Sequence, residues 1–320
     1  MIVKGRKFPL EIKALTVLRT RILQGHPQRK NIEDRIATKK AGYYGEKEVD
    51  YFTSLLPNEK FNIFQDLRLP NKNSFFQIDS LLITPNYALL LEVKNIQGQL
   101  YFDPVSNQFT RKFNGVESRF TEPILQSRRL KYQLHEWMKL HKMPDMPIEY
   151  LFVNSNPTAI FNFPDNKHPF YDRIIHADYL LEKISEFDRK YKQSVITPKQ
   201  IQLIRSNLIN EHTESKADVL KKFSIDKSDI ITGVQCPNCR KIPMERINTA
   251  WLCSLCQHQS KVAHIPTLEE YVLLFGPYIT NKSLREFLNL KSRYVTKRIL
   301  ISSTQESTGK NKGKVYKKYN

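Results

Sequence analysis

The run Leu89-Leu90-Leu91-Glu92-Val93-Lys94 constrains the fold more than any other segment. A nearly continuous apolar strand is buried on both faces, so it requires a sheet with helices packed above and below it. Two charges close the run. Residues i and i+2 of a strand share a side, so Glu92 and Lys94 project together. Burying such charges is costly unless each finds a partner. A second β-rich run over 75–84 precedes this one, and Pro85-Asn86 between them reads as a hairpin turn. Pairing across that turn brings Asp79 toward Glu92. Adjacent carboxylates repel, and hard oxygen ligands on a rigid sheet suit Mg²⁺ or Mn²⁺. With Lys94 alongside, such a centre fits phosphodiester hydrolysis. A structural Glu–Lys pair at a sheet edge is the plainer alternative.

Periodicity and turn signals divide the rest of the chain. Residues 31–56 repeat apolar positions at about 3.6 and predict a helix ended by Pro57-Asn58. Strands are expected over 61–69, 87–95, 148–153 and 171–176, with two more short ones between 100 and 113. Helices are expected over 122–141, 177–190 and 197–211. Strands mixed with helices around one sheet make residues 31–211 an α/β or α+β domain. It is preceded by a basic segment over 1–30. Residues 212–230 are polar, with few aromatics, and read as a linker.

All four cysteines lie in Cys236-Pro-Asn-Cys239 and Cys253-Ser-Leu-Cys256. Two C-x₂-C knuckles at this separation predict a zinc ribbon over 231–262. With four thiolates no coordination position is left open, so the Zn²⁺ is structural; tetrahedral iron is the alternative. His258 and His264 are bystanders.

Lys and Arg number 51 against 32 Asp and Glu, a formal charge of +19. Residues 1–40 carry eleven basic and three acidic side chains, and residues 281–320 carry eleven and two, so the ends hold +8 and +9. Basic ends on a near-neutral body favour a polyanion, nucleic acid first. Within 263–320, residues 283–288 and 291–300 predict two short helices around the turn Asn289-Leu290. The second has Tyr294, Val295 and Ile299 on its apolar side and Lys291, Ser292, Arg293, Thr296, Lys297 and Arg298 on the other. This arrangement resembles a helix-turn-helix, with Lys291, Arg293, Lys297 and Arg298 directed at DNA, and residues 309–318 form a candidate basic wing. No apolar run approaches the ~20 residues of a membrane span, and the opening residues lack the apolar stretch of a secretory signal. A cytoplasmic setting with no membrane partner is expected.

The pattern D-x₁₂-E-x-K formed by Asp79, Glu92 and Lys94 resembles the PD-(D/E)xK nuclease superfamily. The longer string Gly45-Glu46, Gln77-Ile78-Asp79, Glu92-Val93-Lys94-Asn95 and Gly98 is similar to its nuclease-related domain, NERD, over roughly residues 40–150. The resemblance implies a restriction-endonuclease-like mixed sheet flanked by helices. It also implies a Mg²⁺ or Mn²⁺ site formed by Glu46, Asp79 and Glu92, with Lys94 and Gln77 as further catalytic residues. Glu122-Pro-Ile-Leu-Gln126 is similar to the family's N-P-x-x-Q, with Glu122 in place of Asn, and places Gln126 at the site. Gly45 allows close approach of the helix to its neighbour, but only the family match separates Glu46 from Glu48. The chain thus reads as a metal-dependent nuclease acting on DNA. A ribonuclease of the same fold and a non-catalytic nucleic-acid-binding scaffold are the alternatives.

Overall fold

The computed structural model describes residues 1–318 apart from 104, 107, 165–169 and 216, and apart from the side chain of Lys312. The chain opens with a short strand, β1 (Ile2–Lys4), and two helices, α1 (Leu10–Arg21) and α2 (Arg29–Ser54). Two compact units follow from its contacts: Met1–Phe8 with Lys40–Ser215, and Pro9–Lys39 with Lys216–Asn320.

The first unit contains β2 (Asn62–Asn71), β3 (Ser74–Ile83) and β4 (Ala88–Lys94), then β5 (Gln99–Asp103), β6 (Gln108–Phe113) and β7 (Val116–Phe120). Helix α3 (Pro123–Leu140), β8 (Ile148–Asn154), β9 (Ile160–Asn162), β10 (Ile174–His176), α4 (Leu180–Lys190) and α5 (Pro198–Glu211) complete it. Six strands form the main sheet in the order β1-β2-β3-β4-β8-β10. The β2–β3 and β3–β4 pairs are antiparallel, whereas β1–β2, β4–β8 and β8–β10 are parallel. This is the expected mixed sheet. Thr84 Oγ1 accepts from the backbone N–H groups of Asn86 and Tyr87 and closes the hairpin at Pro85-Asn86.

Strand β4 is central, and its side chains alternate between two cores. Leu90 packs with Leu130, Leu134 and Trp137 of α3 and with Ile201, Ile204 and Leu208 of α5. Leu89, Leu91 and Val93 pack with Val49 of α2 and with Leu180, Ile184 and Phe187 of α4. Burial on both faces is what the apolar run required. A second sheet, ordered β7-β6-β5-β9, leaves the main sheet just after β4. Gly98 makes that departure: its φ is +104°, and an added Cβ would lie 2.7 Å from the carbonyl oxygen of Lys112.

The second unit contains α1, the first part of α2, α6 (Val219–Lys222), β11 (Glu245–Ile247), β12 (Ala250–Leu252), β13 (Gln259–Ser260), α7 (His264–Phe275), β14 (Tyr278–Thr280), α8 (Asn281–Phe287), α9 (Arg293–Ser303), β15 (Glu306–Thr308) and β16 (Val315–Lys317). The cysteine module is a three-stranded antiparallel sheet, β11-β12-β13, and β14, β16 and β15 form another beside the two short helices. One apolar core runs through Leu15, Leu18, Ile32, Trp251, Leu268 and Leu300.

This division crosses the boundaries expected from sequence. Residues 9–39 join the C-terminal unit, and the expected linker carries Val219, Leu220, Ile225 and Ile230 into its core. A polar composition hid four well-spaced apolar anchors. Among the described residues no helix is long and apolar enough to cross a membrane.

Arg21 fastens α1 into this core. Its side chain is fully buried, pairs with Glu270, and donates to the carbonyls of Ile231 at 2.8 Å and Gly233 at 3.0 Å. Removing one partner of a buried ion pair typically costs about 3–5 kcal/mol. Arg21→Ala should lower the unfolding free energy by that amount in urea denaturation. A loss within about 0.5 kcal/mol, the range of an ordinary surface change, would show that the pair does not hold α1 in place.

Candidate functional site

The open end of β4 gathers the residues singled out in the sequence. Ser80 pairs with Leu91, so the antiparallel register carries Asp79 opposite Glu92 at the end of the ladder. Asp79 Oδ2 accepts from the Val93 backbone N–H at 2.9 Å. Lys94 Nζ bonds Glu92 Oε1, as the i, i+2 geometry requires. Gln126 of α3 donates from Nε2 to the same oxygen at 2.6 Å. The helix start that presents Gln126 is capped by Glu122, whose carboxylate accepts from Ile124 and Leu125, with Pro123 in the first turn. Glutamate thus caps the helix at the position where the family pattern has Asn.

Glu46 arrives from α2. The helix comes close because residue 45 is glycine: an added Cβ would lie 2.7 Å from Asn95 Cβ and closer still to Ser155 Oγ. Asn95 ties the same contact by donating to the Ala41 carbonyl at 2.9 Å. Glu48 makes no ion pair or hydrogen bond through its side chain among the described residues, and it is exposed. The structure therefore separates the two glutamates that sequence patterning could not.

Two residues at this site escaped sequence reasoning. The Arg6 side chain is almost wholly buried and pairs with both Glu46 and Asp50, the latter at 3.0 Å. It also donates from Nη2 to the Asp79 carbonyl at 2.7 Å. That carbonyl faces Asp66, where φ is +53° and the β2–β3 pairing skips a step, so Arg6 supplies a missing ladder donor. Asp50 is buried one helical turn beyond Glu46, and that spacing was a readable signal. Arg6 had none, because its partners lie forty or more positions away in sequence. Gln77 is exposed and donates to Asp66 at 2.7 Å; it makes no hydrogen bond to Glu46, Asp79, Glu92 or Lys94.

Glu46, Asp50, Asp79 and Glu92 thus gather around Arg6 and Lys94, with Lys47 3.9 Å from Asp50 at the edge. Burial, then the charge of Asp79, raises Glu46 to about 8 and Glu92 to about 7. Burial opposes the charge of Lys94, but Glu92 and Asp79 outweigh it and hold its pKa above the ordinary lysine value. One oxygen each of Glu46, Asp79 and Glu92 accepts no hydrogen bond among the described residues. Unbonded carboxylate oxygens are hard donors of the kind that divalent ions take.

The cysteines form the second cluster. All four Sγ atoms lie within 4.8 Å of one another. The Cys236–Cys256 and Cys239–Cys253 separations are 3.6 and 3.5 Å. A tetrahedral sulfur shell at ~2.3 Å from its metal has edges of about 3.8 Å, whereas a disulfide would need ~2.0 Å. Each knuckle turns through a left-handed residue after its second cysteine, Arg240 or Gln257. His258 and His264 are outside the cluster, and His264 Nδ1 accepts from Trp251 Nε1 instead. The four thiols are positioned to hold a structural metal.

The basic helix α9 differs in part from its expected faces. Lys291, Arg293, Lys297 and Arg298 are exposed and make no ion pair among the described residues. Tyr294, expected on the apolar side, is 83% exposed among them, while Thr296 is buried and back-bonds to the Ser292 carbonyl. The N-terminal charge behaves otherwise. Arg6, Arg21, Arg35 and Lys39 are all engaged by carboxylates.

Residues 41–155 match the family of the nuclease-related domain. The chain carries a nuclease-related domain. That domain spans α2 from Ala41 onward to the first residue after β8, and so holds Glu46, Asp79, Glu92, Lys94 and Gln126. No curated protein and no solved structure matches the chain.

The raised glutamates fix the sign of a pH effect. Unfolded, both return to about 4.5, so the stability they contribute is full below that pH and is lost as pH rises through about 7 to 8. With EDTA present, the melting temperature should fall from about pH 5 to about pH 8. Glu92→Gln should flatten that fall. A melting temperature that climbs across the interval would contradict this charge balance.

Proposed function

We propose that this protein is a divalent-metal-dependent nuclease that hydrolyses phosphodiester bonds of DNA. The observation carrying the reading is the convergence of Glu46, Asp79 and Glu92, each with a free oxygen, beside Lys94. These carboxylates would hold Mg²⁺ or Mn²⁺, which when bound supplies a Lewis acid to a phosphate oxygen and makes an attacking water more acidic. Lys94 stabilises the charge that develops on the phosphorus oxygens as water adds and the P–O bond to the leaving sugar oxygen breaks. Gln126 fixes the orientation of the Glu92 carboxylate, leaving its second oxygen for the ion. Arg6 positions Glu46 and Asp50 and limits their repulsion. Arg129, exposed one turn from Gln126, adds a positive charge that acts on Glu92 and faces an incoming phosphodiester.

The C-terminal unit brings this centre to DNA. Arg293, Lys297 and Arg298 lie on the exposed side of α9, with Lys291 just before it, and none is neutralised within the protein. The cysteine cluster takes Zn²⁺, whose binding energy holds together a module too small for its own core. Cytoplasmic action fits these reduced thiols.

Linear and circular duplexes, single-stranded DNA and RNA, incubated with Mg²⁺, Mn²⁺ or EDTA, test the reading directly. Cleavage of DNA should require the metal, and Lys94→Ala should slow it about 10²–10³-fold at nearly unchanged DNA affinity. Asp79→Asn should slow it as well and raise the metal concentration needed for half-maximal rate. Cleavage that survives both EDTA and these substitutions would rule out this centre. Activity confined to RNA would make the protein a ribonuclease, and binding without cleavage would make the fold a scaffold.

Elemental analysis should find about one Zn per chain. Cys253→Ser should release it and open the ribbon to proteolysis. Metal-free protein whose four thiols react freely with a disulfide reagent would refute the zinc site.

A further inference from the structure

Asp66 interrupts the ladder between β2 and β3. The pairs Gln65–Ser80 and Leu67–Ile78 flank it in one register, so a regular ladder would set Asp66 opposite Asp79. That rung is missing, and Asp66 takes a φ of +53° in the middle of a strand. Such a conformation is strained for any residue with a Cβ, least so for Asn and Asp. It persists only where the surroundings hold it. Three side chains do so here. Gln77 of β3 donates from Nε2 to Asp66 Oδ1 at 2.7 Å. Lys4 of β1 donates from Nζ to the carbonyls of Gln65 and Asp66, each at 2.7 Å. Arg6 takes the Asp79 carbonyl at 2.7 Å, and its backbone N–H donates to Gln65 Oε1 at 2.9 Å.

The open rung has two consequences for the carboxylates. Like charges directly opposite one another in a ladder repel. The turn at residue 66 hands that carboxylate to Gln77 instead, two residues along β3 from Asp79. It also leaves the Asp79 carbonyl to Arg6, whose guanidinium pairs with Glu46 and Asp50 of α2 at the same time. A closed rung would satisfy that carbonyl from β2 and release Arg6 from it. The distortion is therefore what lets Arg6 tie Glu46 on α2 to Asp79 on β3.

We propose that Gln77 is a positioning residue for the cation centre: by holding Asp66 it keeps this rung open, and so fixes Asp79 against Glu46 through Arg6. The proposal rests on the reading of Glu46, Asp79 and Glu92 as ligands of a divalent ion. Gln77 bonds none of the three and reaches the centre through the backbone of β2 and β3. The same geometry accounts for aspartate at position 66, which tolerates the left-handed backbone and offers the oxygen that Gln77 grips.

Mn²⁺ binding to the zinc-loaded full chain, followed by the EPR signal of free Mn²⁺, tests this independently of cleavage. Gln77→Ala should raise the half-saturating Mn²⁺ concentration about tenfold, with little change in the melting temperature in EDTA. Its cleavage rate should recover toward wild type at saturating Mn²⁺, whereas that of Lys94→Ala should not. Asp66→Thr, β-branched and ill suited to this φ, should weaken Mn²⁺ binding at least as much. Asp66→Asn suits the φ and keeps an acceptor, so it should stay closer to wild type than Asp66→Thr. Gln77→Glu sets two carboxylates together and should weaken binding. Adding Asp66→Asn to it restores a hydrogen bond of reversed polarity at unchanged net charge and should recover the affinity. If Asp66→Thr does not fold, the exposed Gln77→Ala and the reversed pair decide the matter. Wild-type Mn²⁺ binding by Gln77→Ala and Gln77→Glu, with Asp79→Asn weakened, would overturn the positioning role and leave the cation centre intact. A lower rate for Gln77→Ala at saturating Mn²⁺ with unchanged Mn²⁺ binding would also overturn it, because Gln77 would then act on the substrate itself. If Asp79→Asn binds Mn²⁺ as wild type does, the cation centre and the positioning role both fail.

Discussion

Unbalanced negative charge at the open end of β4 is the constraint around which the first unit is organised. Glu46, Asp50, Asp79 and Glu92 come from one helix and two adjacent strands, and among the described residues Arg6 and Lys94 pair with them within 3.0 Å, with Lys47 at 3.9 Å from Asp50. Such a concentration is unfavourable in a shielded place. The surrounding structure is arranged to hold it regardless. Gly45 lets α2 approach, Asn95 pins that approach, and Arg6 returns from the chain's first residues to bridge α2 and β3. Replacing a buried ion pair with apolar residues of similar volume is often neutral or stabilising, so the proposed cation centre is what gives this costly cluster a use.

Much of this was legible in the sequence, and the reasons are local. The apolar run of β4 dictated a sheet covered on both faces. Period-two placement put Glu92 and Lys94 together, and a two-residue turn brought Asp79 across from them. The cysteine spacing was equally direct, because four thiols in two knuckles have few other uses. Glu46 needed the family match, since on a helix with several acidic residues the period alone does not decide which one faces the sheet. The structure supplies the missing criterion in Gly45.

What remained hidden depends on contacts between distant parts of the chain. Arg6 sits in a segment with no usable periodicity, and its value lies in partners far along the sequence. Helix α1 carries apolar residues that fit many cores, so nothing local ties it to the C-terminal unit rather than to the sheet that follows it. The linker reading failed for a related reason: four apolar side chains among charged ones are enough to dock a segment when they meet a prepared surface. On α9, short length made the apolar side ambiguous. A hydroxyl can be buried when it bonds back to its own helix, as Thr296 does, and this left Tyr294 among the basic side chains.

The two basic ends illustrate why net charge alone does not identify a nucleic-acid surface. Residues 1–40 and 281–320 carry nearly the same excess, +8 and +9. In the first, the principal arginines are consumed by carboxylates of the fold, where they hold Glu46, Glu11 and Glu270 in place. In the second, Lys291, Arg293, Lys297 and Arg298 meet no carboxylate among the described residues. Charge already paired releases no counterions on meeting a polyanion, whereas unpaired charge does. The useful quantity is therefore the number of cationic groups left without an internal partner. By that measure residues 281–320 present more uncompensated positive charge than residues 1–40 among the described residues.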